Sequence, residues 1–281
     1  MDAKNAIKFM ILSTMAFACM NAVVKYLDNV STYQIVFFRS LGSLFFTFGY
    51  LLKNKIPFIG NKNKLLILRS LVGATSMLFF FMSVKYLSVG TAVSLRYTAP
   101  IFAAIFAVFI LKEQIKPFQW LFFVVSFIGV LILKGIDSQI DTFGLLLVII
   151  AAILSGLVYI MINQIGQSEH PVVVVNYFMI TAMILGGVLS IGNWVTPSGI
   201  EWPLLLSLGV FGYFGQIYMT KAFQTASTNI IAPLKYIEVV FTVLLGITLF
   251  GEIYTFWSLF GMVLIISGLV LNVWYKGRLK Q

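Results

Sequence analysis

Residues 234–252 read LKYIEVVFTVLLGITLFGE, and 139 positions earlier residues 95–113 read LRYTAPIFAAIFAVFILKE. Laid over each other without a gap, Leu95 meets Leu234, Arg96 meets Lys235, Tyr97 meets Tyr236, Phe102 meets Phe241 and Glu113 meets Glu252. At the same offset Gly129 meets Gly268. Upstream the offset becomes 137, with Met82 and Ser83 falling on Met219 and Thr220, and Ser70 and Leu71 on Ser207 and Leu208. Leu and Phe identities carry little weight in an apolar chain. A basic–tyrosine dipeptide and a loop glutamate at one shared offset carry more, and they divide the chain into two units, 1–136 and 137–281.

Both units are built for lipid. The 281 residues are 60% hydrophobic and 10% charged, with mean hydropathy +1.00, whereas a soluble domain is about a quarter charged. A spanning helix needs about 20 apolar residues. Ten stretches qualify: 6–27, 33–52, 65–84, 91–111, 117–134, 143–163, 171–191, 202–222, 229–250 and 254–274. Runs such as FAAIFAVFIL lack the polar alternation of a spanning barrel. The predicted fold is therefore an all-α membrane protein with ten transmembrane helices, arranged as two five-helix repeats. Five spans per unit force the two units into opposite orientations, the inverted-repeat plan of many carriers.

The net charge of +10 follows topology and is no nucleic-acid footprint. With the N-terminus inside, thirteen Lys and Arg fall on inner segments, Arg69 among them, and Lys25, Lys85 and Lys134 fall on outer ones. That bias predicts cytoplasmic N- and C-termini in a cell inner membrane. Cys19 is the single cysteine, so no intrachain disulfide forms. AFAC before it resembles a lipoprotein cleavage site, but the apolar run continues to Val24.

Five-helix repeats whose fourth helix closes on KE or GE resemble the EamA repeat of the drug/metabolite transporter superfamily. LKYIEVVFTVLLGITLFGE followed by GMVLIISGLVL is the most specific part. The resemblance implies a ten-helix carrier whose third, fourth, eighth and ninth helices line a central cavity. Such carriers move amino acids, nucleotide-like metabolites, S-adenosylmethionine, riboflavin and other small organics.

Ionisable residues within spans are the first candidates for a site. Lys235 and Glu238, three apart, share a helix face on which each offsets the other's charge. Arg96 sits near the start of the fourth span, and Pro100 is expected to kink that helix. Tyr97 and Tyr236 gain weight from their matched positions. Arg39 lies some 9 Å inside the second span at about 1.5 Å per residue. Asn21, Asn163 and Asn176 read first as hydrogen-bonding glue between helices. Gln216 follows Gly209, Gly212 and Gly215, which allow close packing. The candidate substrate-binding set is thus Arg39, Arg96, Tyr97, Gln216, Lys235, Tyr236 and Glu238. Glu113 and Glu252 are read as caps on the helices that follow them. His170 is a weak metal or proton-relay candidate.

No HExxH, phosphate loop or Ser-centred elbow is present, so an enzyme is not expected, and no cofactor or metal is implied. The predicted function is a secondary transporter of a small carboxylate-bearing or zwitterionic metabolite, with S-adenosylmethionine or riboflavin as alternative cargo. A membrane transferase acting on a lipid-linked substrate ranks lower. Small-molecule cargo and membrane lipids are the expected partners, with a homodimer permitted. Glu238 is the group able to carry a coupled proton, although Lys235 nearby opposes its protonation.

Overall fold

The structure is a computed structural model and describes residues 3–110, 112, 117–136, 140–165, 168–225 and 232–278. The helices are α1 (Ala3–Tyr26), α2 (Thr32–Lys53), α3 (Asn63–Tyr86), α4 (Val89–Arg96), α5 (Ala99–Ile110), α6 (Pro117–Ile136), α7 (Thr142–Ile165), α8 (Pro171–Ser190) and α9 (Glu201–Thr225). A 3-10 turn (Ala232–Tyr236) then leads into α10 (Ile237–Phe250), and α11 (Phe256–Arg278) ends the described chain. No strand occurs among the described residues. Six segments are long and apolar enough to cross a membrane, with α4 and α5 counted as one, and α6 and α11 contain shorter apolar stretches. Ten membrane-crossing segments fit this set. Large apolar side chains such as Phe45, Phe109 and Ile253 stand on the outside, as a lipid-facing surface requires.

The fourth span is two helices, not the single kinked one the sequence predicts. α4 ends at Arg96, Tyr97 and Thr98 form a turn, and α5 resumes at Ala99. Pro100 is the reason: it lacks an N–H for the helix ladder and crowds the backbone before it. The ninth span is interrupted at the matching place, with Pro233 inside the 3-10 turn that precedes α10. Proline also starts α6 and α8 at positions where a missing N–H costs little.

Small residues bring the helices together. α1 lies against α9 and α3 against α7; α2 packs on α8 and α9, α6 on α11, and α4 on α10. A Cβ on Gly42 of α2 would sit 2.8 Å from the Gly209 Cα of α9, so these backbones touch. Gly212 abuts Arg39 and Ser43, and Gly215 the Phe17 ring, as expected of packing glycines. The α6–α11 contact is reciprocal. Gly129 faces Gly261 and Ile265, while Gly268 faces Phe122 and Ser126.

Each end of the bundle is tied by a glutamate. At one end Glu169 accepts hydrogen bonds from the Asn61 and Lys62 N–H groups, both at 2.6 Å, and the Lys62 ammonium reaches the Gln164 and Ile165 carbonyls. At the other end Glu252 accepts from the Val89 N–H at 3.1 and 3.3 Å. Tyr254 donates its hydroxyl to Glu252 and accepts from the Gly90 N–H. Glu252 therefore caps α4, which precedes it by far in the chain, and not the helix that follows it. Gly251 at φ +60° ends α10 and turns the chain toward α4, leaving Thr255 to accept from Ser258 N–H at the start of α11. Glu113 lies outside the described residues.

Candidate functional site

Between the two interrupted spans lies a cavity of about 1000 Å³, its opening included. Each wall presents one helix stripe. Phe17, Met20 and Asn21 come from α1; Arg69, Gly73, Ser76 and Met77 from α3; Ser155, Val158, Tyr159 and Ile162 from α7. The steps of three and four residues place each set on one face. Arg39, Arg96, Tyr97, Gln216, Lys235 and Glu238, six of the seven predicted residues, line this same cavity. Tyr236 does not line it. Its ring packs edge-on against Tyr97, with centroids 5.1 Å apart.

Glu238 is the hub. It lies in the first turn of α10 and is 5% exposed. One carboxylate oxygen accepts from the Asn21 amide at 3.1 Å, and the other from the Tyr97 hydroxyl at 2.7 Å. The same hydroxyl lies 3.1 Å from the Lys235 carbonyl. α1, the break between α4 and α5, and the head of α10 therefore meet at one carboxylate. Asn21, which by sequence is interhelical glue, is both glue and cavity wall, and its Oδ1 has no partner.

The expected Lys235–Glu238 pairing does not form. No ion pair joins Glu238 to a basic side chain among the described residues. Lys235 belongs to the 3-10 turn and Glu238 to α10, so the regular spacing that would put them on one face is broken at their junction. The Lys235 ammonium lies 5.8 Å from the centre of the Tyr97 ring instead.

The other cations rest on soft surfaces. The Arg96 guanidinium lies 4.2 Å over the Phe80 ring. Arg39, 3% exposed, contacts the Met20 and Met179 sulfurs at 3.3 and 3.7 Å. Arg69 lies 4.9 Å over the Phe178 ring, and its Nε and Nη1 are buried without a hydrogen-bond partner. By sequence Arg69 groups with the flanking charges, because it falls in the second turn of α3; the structure turns it inward. The stripe Arg69, Gly73, Ser76, Met77 is the sequence signal for that position. Among the described residues, four basic side chains thus share the cavity with one carboxylate. Desolvating an unpaired charge costs several kcal/mol, so this charge set does not by itself stabilise the fold.

The remaining sequence candidates sort differently. Asn176 accepts from Thr47 at 3.2 Å, the expected glue. The Asn163 side chain lies outside the described set. His170 caps α8, its imidazole accepting the Val172 N–H at 3.3 Å, so the one histidine has a structural task. Among the described residues no three His, Cys, Asp or Glu side chains gather to hold a metal.

The chain is similar to known proteins along most of its length. The profile of the EamA-like transporter family matches residues 4–134 and again 142–274. Solute carrier family 35 member G1 of Homo sapiens is 25% identical over 95% of this chain and 79% of its own length. The pseudopaline exporter CntI of Pseudomonas aeruginosa is 28% identical over 96% of this chain and 94% of its own. The S-adenosylmethionine uptake transporter of Rickettsia prowazekii is 27% identical over 98% and 94%. A crystal structure superposes with TM-score 0.69 at 14% identity, covering 97% of this chain and 98% of that one, and shares the fold.

Proposed function

The chain belongs to the EamA-like transporter family, a multi-pass membrane transporter family and not an enzyme family, and from that premise we propose a secondary carrier of a small carboxylate-bearing or zwitterionic metabolite. The observation that carries the cargo class is the cavity itself, where Arg39, Arg69, Arg96 and Lys235 face a single carboxylate, Glu238. Anionic oxygen groups are the partners those side chains lack.

The mechanism we propose is alternating access by two inverted units, 1–136 and 137–281, in an inner membrane with both termini cytoplasmic. Two features support the pseudo-twofold. Gly129 faces 261 and 265 while Gly268 faces 122 and 126, which is one contact repeated at an offset of 139. The matched residues Tyr97 and Tyr236 touch each other, as residues beside the axis would. Under this reading the Glu252 end is closed. There α4 and α10 pack together beneath the Glu252–Val89 and Tyr254–Gly90 bonds, and opening separates them.

A cargo of S-adenosylmethionine is the second reading, favoured by the Rickettsia relative and by Glu238 as a seat for positive charge. The four-to-one excess of cavity cations weighs against a net cationic cargo. Counterflow in proteoliposomes, run with carboxylates, amino acids and S-adenosylmethionine, decides between them. Exchange of a carboxylate supports the first reading and exchange of S-adenosylmethionine the second. If no solute exchanges while a lipid-linked substrate is converted, the carrier assignment fails.

A further inference from the structure

Among the described residues, Arg69 is the cavity cation that neither a carboxylate nor a hydrogen-bond acceptor meets. Lys235 and Arg96 form no ion pair with Glu238, yet both lie close enough for their charges to act on it. Arg39 directs its Nε and Nη1 to the Met20 and Met179 sulfurs, weak acceptors that still occupy those donors, and the charge that acts on it is that of Arg96. Arg69 has neither kind of neighbour. Its guanidinium lies over the Phe178 ring, its Nε and Nη1 are buried without an acceptor, and no neighbouring charge acts on it. It lines the cavity all the same, on one face of α3 with Gly73, Ser76 and Met77. The face of a phenyl ring attracts a cation but does not replace its hydrogen bonds. A buried guanidinium without an acceptor is unfavourable. A carboxylate, with two oxygens placed to accept its N–H groups, relieves that.

We propose that Arg69 is the residue that takes the cargo's carboxylate, and so the one that sets selectivity for a carboxylate over an uncharged amide. This rests on the carrier assignment and narrows it from a basic cavity to one side chain. Phe178 supports the guanidinium from beneath, and Gly73, one turn along α3, packs on the same ring, where a Cβ would stand 3.4 Å from it. The donor group is therefore held before cargo arrives, which favours binding. Arg96 and Lys235 are left to balance Glu238.

The test is equilibrium binding to the purified full chain in nanodiscs, which does not depend on turnover. The probes are propionate, succinate, L-alanine and L-phenylalanine, each beside its monoamide, with methyl phosphate as an anion of another class. At least one carboxylate binds the wild-type protein roughly 10–100-fold tighter than its amide, the range for a hydrogen bond to a charged group. Arg69→Gln brings that carboxylate down to the level of its amide and leaves the amide unchanged. Arg69→Lys, which keeps the charge without the planar donor set, restores part of the difference. Arg96→Gln narrows the preference less than Arg69→Gln does. An undiminished preference in Arg69→Gln, equal losses for carboxylate and amide, a larger effect in Arg96→Gln, or binding of methyl phosphate in place of every carboxylate would each overturn the assignment, as would no binding of any probe. Should Arg69→Gln fail to fold, Arg69→Lys decides: a narrowed preference supports the role of Arg69 and an unchanged one overturns it. Any of the overturning results beside counterflow of some solute leaves the carrier intact and removes only the role of Arg69.

Discussion

Glu252 offers the most direct test of the proposed alternating access. Its carboxylate accepts the Val89 N–H at 3.1 and 3.3 Å and holds the Tyr254 hydroxyl that in turn receives the Gly90 N–H at 3.2 Å. These bonds cap α4 only while α4 and α10 remain together. A capping side chain contributes about 0.5–2 kcal/mol and the charge at a helix N-terminus about 0.3–1 kcal/mol. Glu252→Gln keeps an acceptor and loses the charge, so we expect about 1 kcal/mol off the closed state, or roughly fivefold in the open population. Glu252→Ala loses both, about 2 kcal/mol and roughly 30-fold. The single native cysteine makes the assay simple. In a Cys19→Ala background, Val93→Cys places a thiol on α4 in the cavity wall, where the parent residue is 1% exposed. A membrane-impermeant maleimide added from the Glu252 side should label it about fivefold faster in Glu252→Gln and about 30-fold faster in Glu252→Ala. Unchanged rates would refute the latch. So would equal acceleration from both sides, which would mean general loosening.

Gly209→Leu should lower the thermal midpoint in nanodiscs, since a Cβ there lies 2.5 Å from the Gly42 Cα and overpacking costs about 1–3 kcal/mol or more. Gly192→Leu, with open space around it, should not, and equal shifts would discredit the packing account. Tyr97→Phe removes the hydroxyl that holds Glu238 and should raise the half-saturation of counterflow roughly tenfold, the cost of a bond to a charged group. Tyr236→Phe should leave it near wild type, because Tyr236 contributes its ring; matching effects in the two variants would remove the hub role of Glu238. Replacing Lys235 by Met and Glu238 by Gln should change both affinity and rate for whichever cargo exchanges, and unchanged kinetics would reduce both residues to packing.

The fold is legible in the sequence because lipid imposes a strong pattern. Ten apolar stretches stand out, and they fit the helices of the structure. The broken fourth span is half legible: Pro100 announces a disruption, and the turn at Tyr97 and Thr98 gives its extent. Partnerships are harder. Lys235 and Glu238 look paired because three residues of regular helix bring side chains together, and nothing in the sequence shows that a 3-10 turn ends between them. Glu252 looks like a local cap because its partner, Val89, is distant in the chain and reaches it only through packing. Arg69 escapes notice because a charge near a helix end usually faces headgroups, and only the stripe of small residues below it points inward.

Under the proposed two-unit reading, the cavity combines groups that match across the offset, Arg96 and Lys235 among them, with one that does not. Other matched positions make packing contacts: the glycines of α6 and α11, and the two tyrosines that meet edge to edge. A cavity lined only by matched residues would present the same charges to cargo from either side and have no preferred orientation for it. Glu238 removes that equivalence, since its counterpart at the same offset is Ala99. Tyr97 of the proposed first unit then holds the carboxylate of the second, so the one acidic group among the described cavity residues is fixed by both. Any motion that parts α4 from α10 must strain that bond. Under the proposed alternating access, cargo charge and gate position are linked through the same carboxylate, and a substitution at Glu238 should alter selectivity and the open–closed balance together.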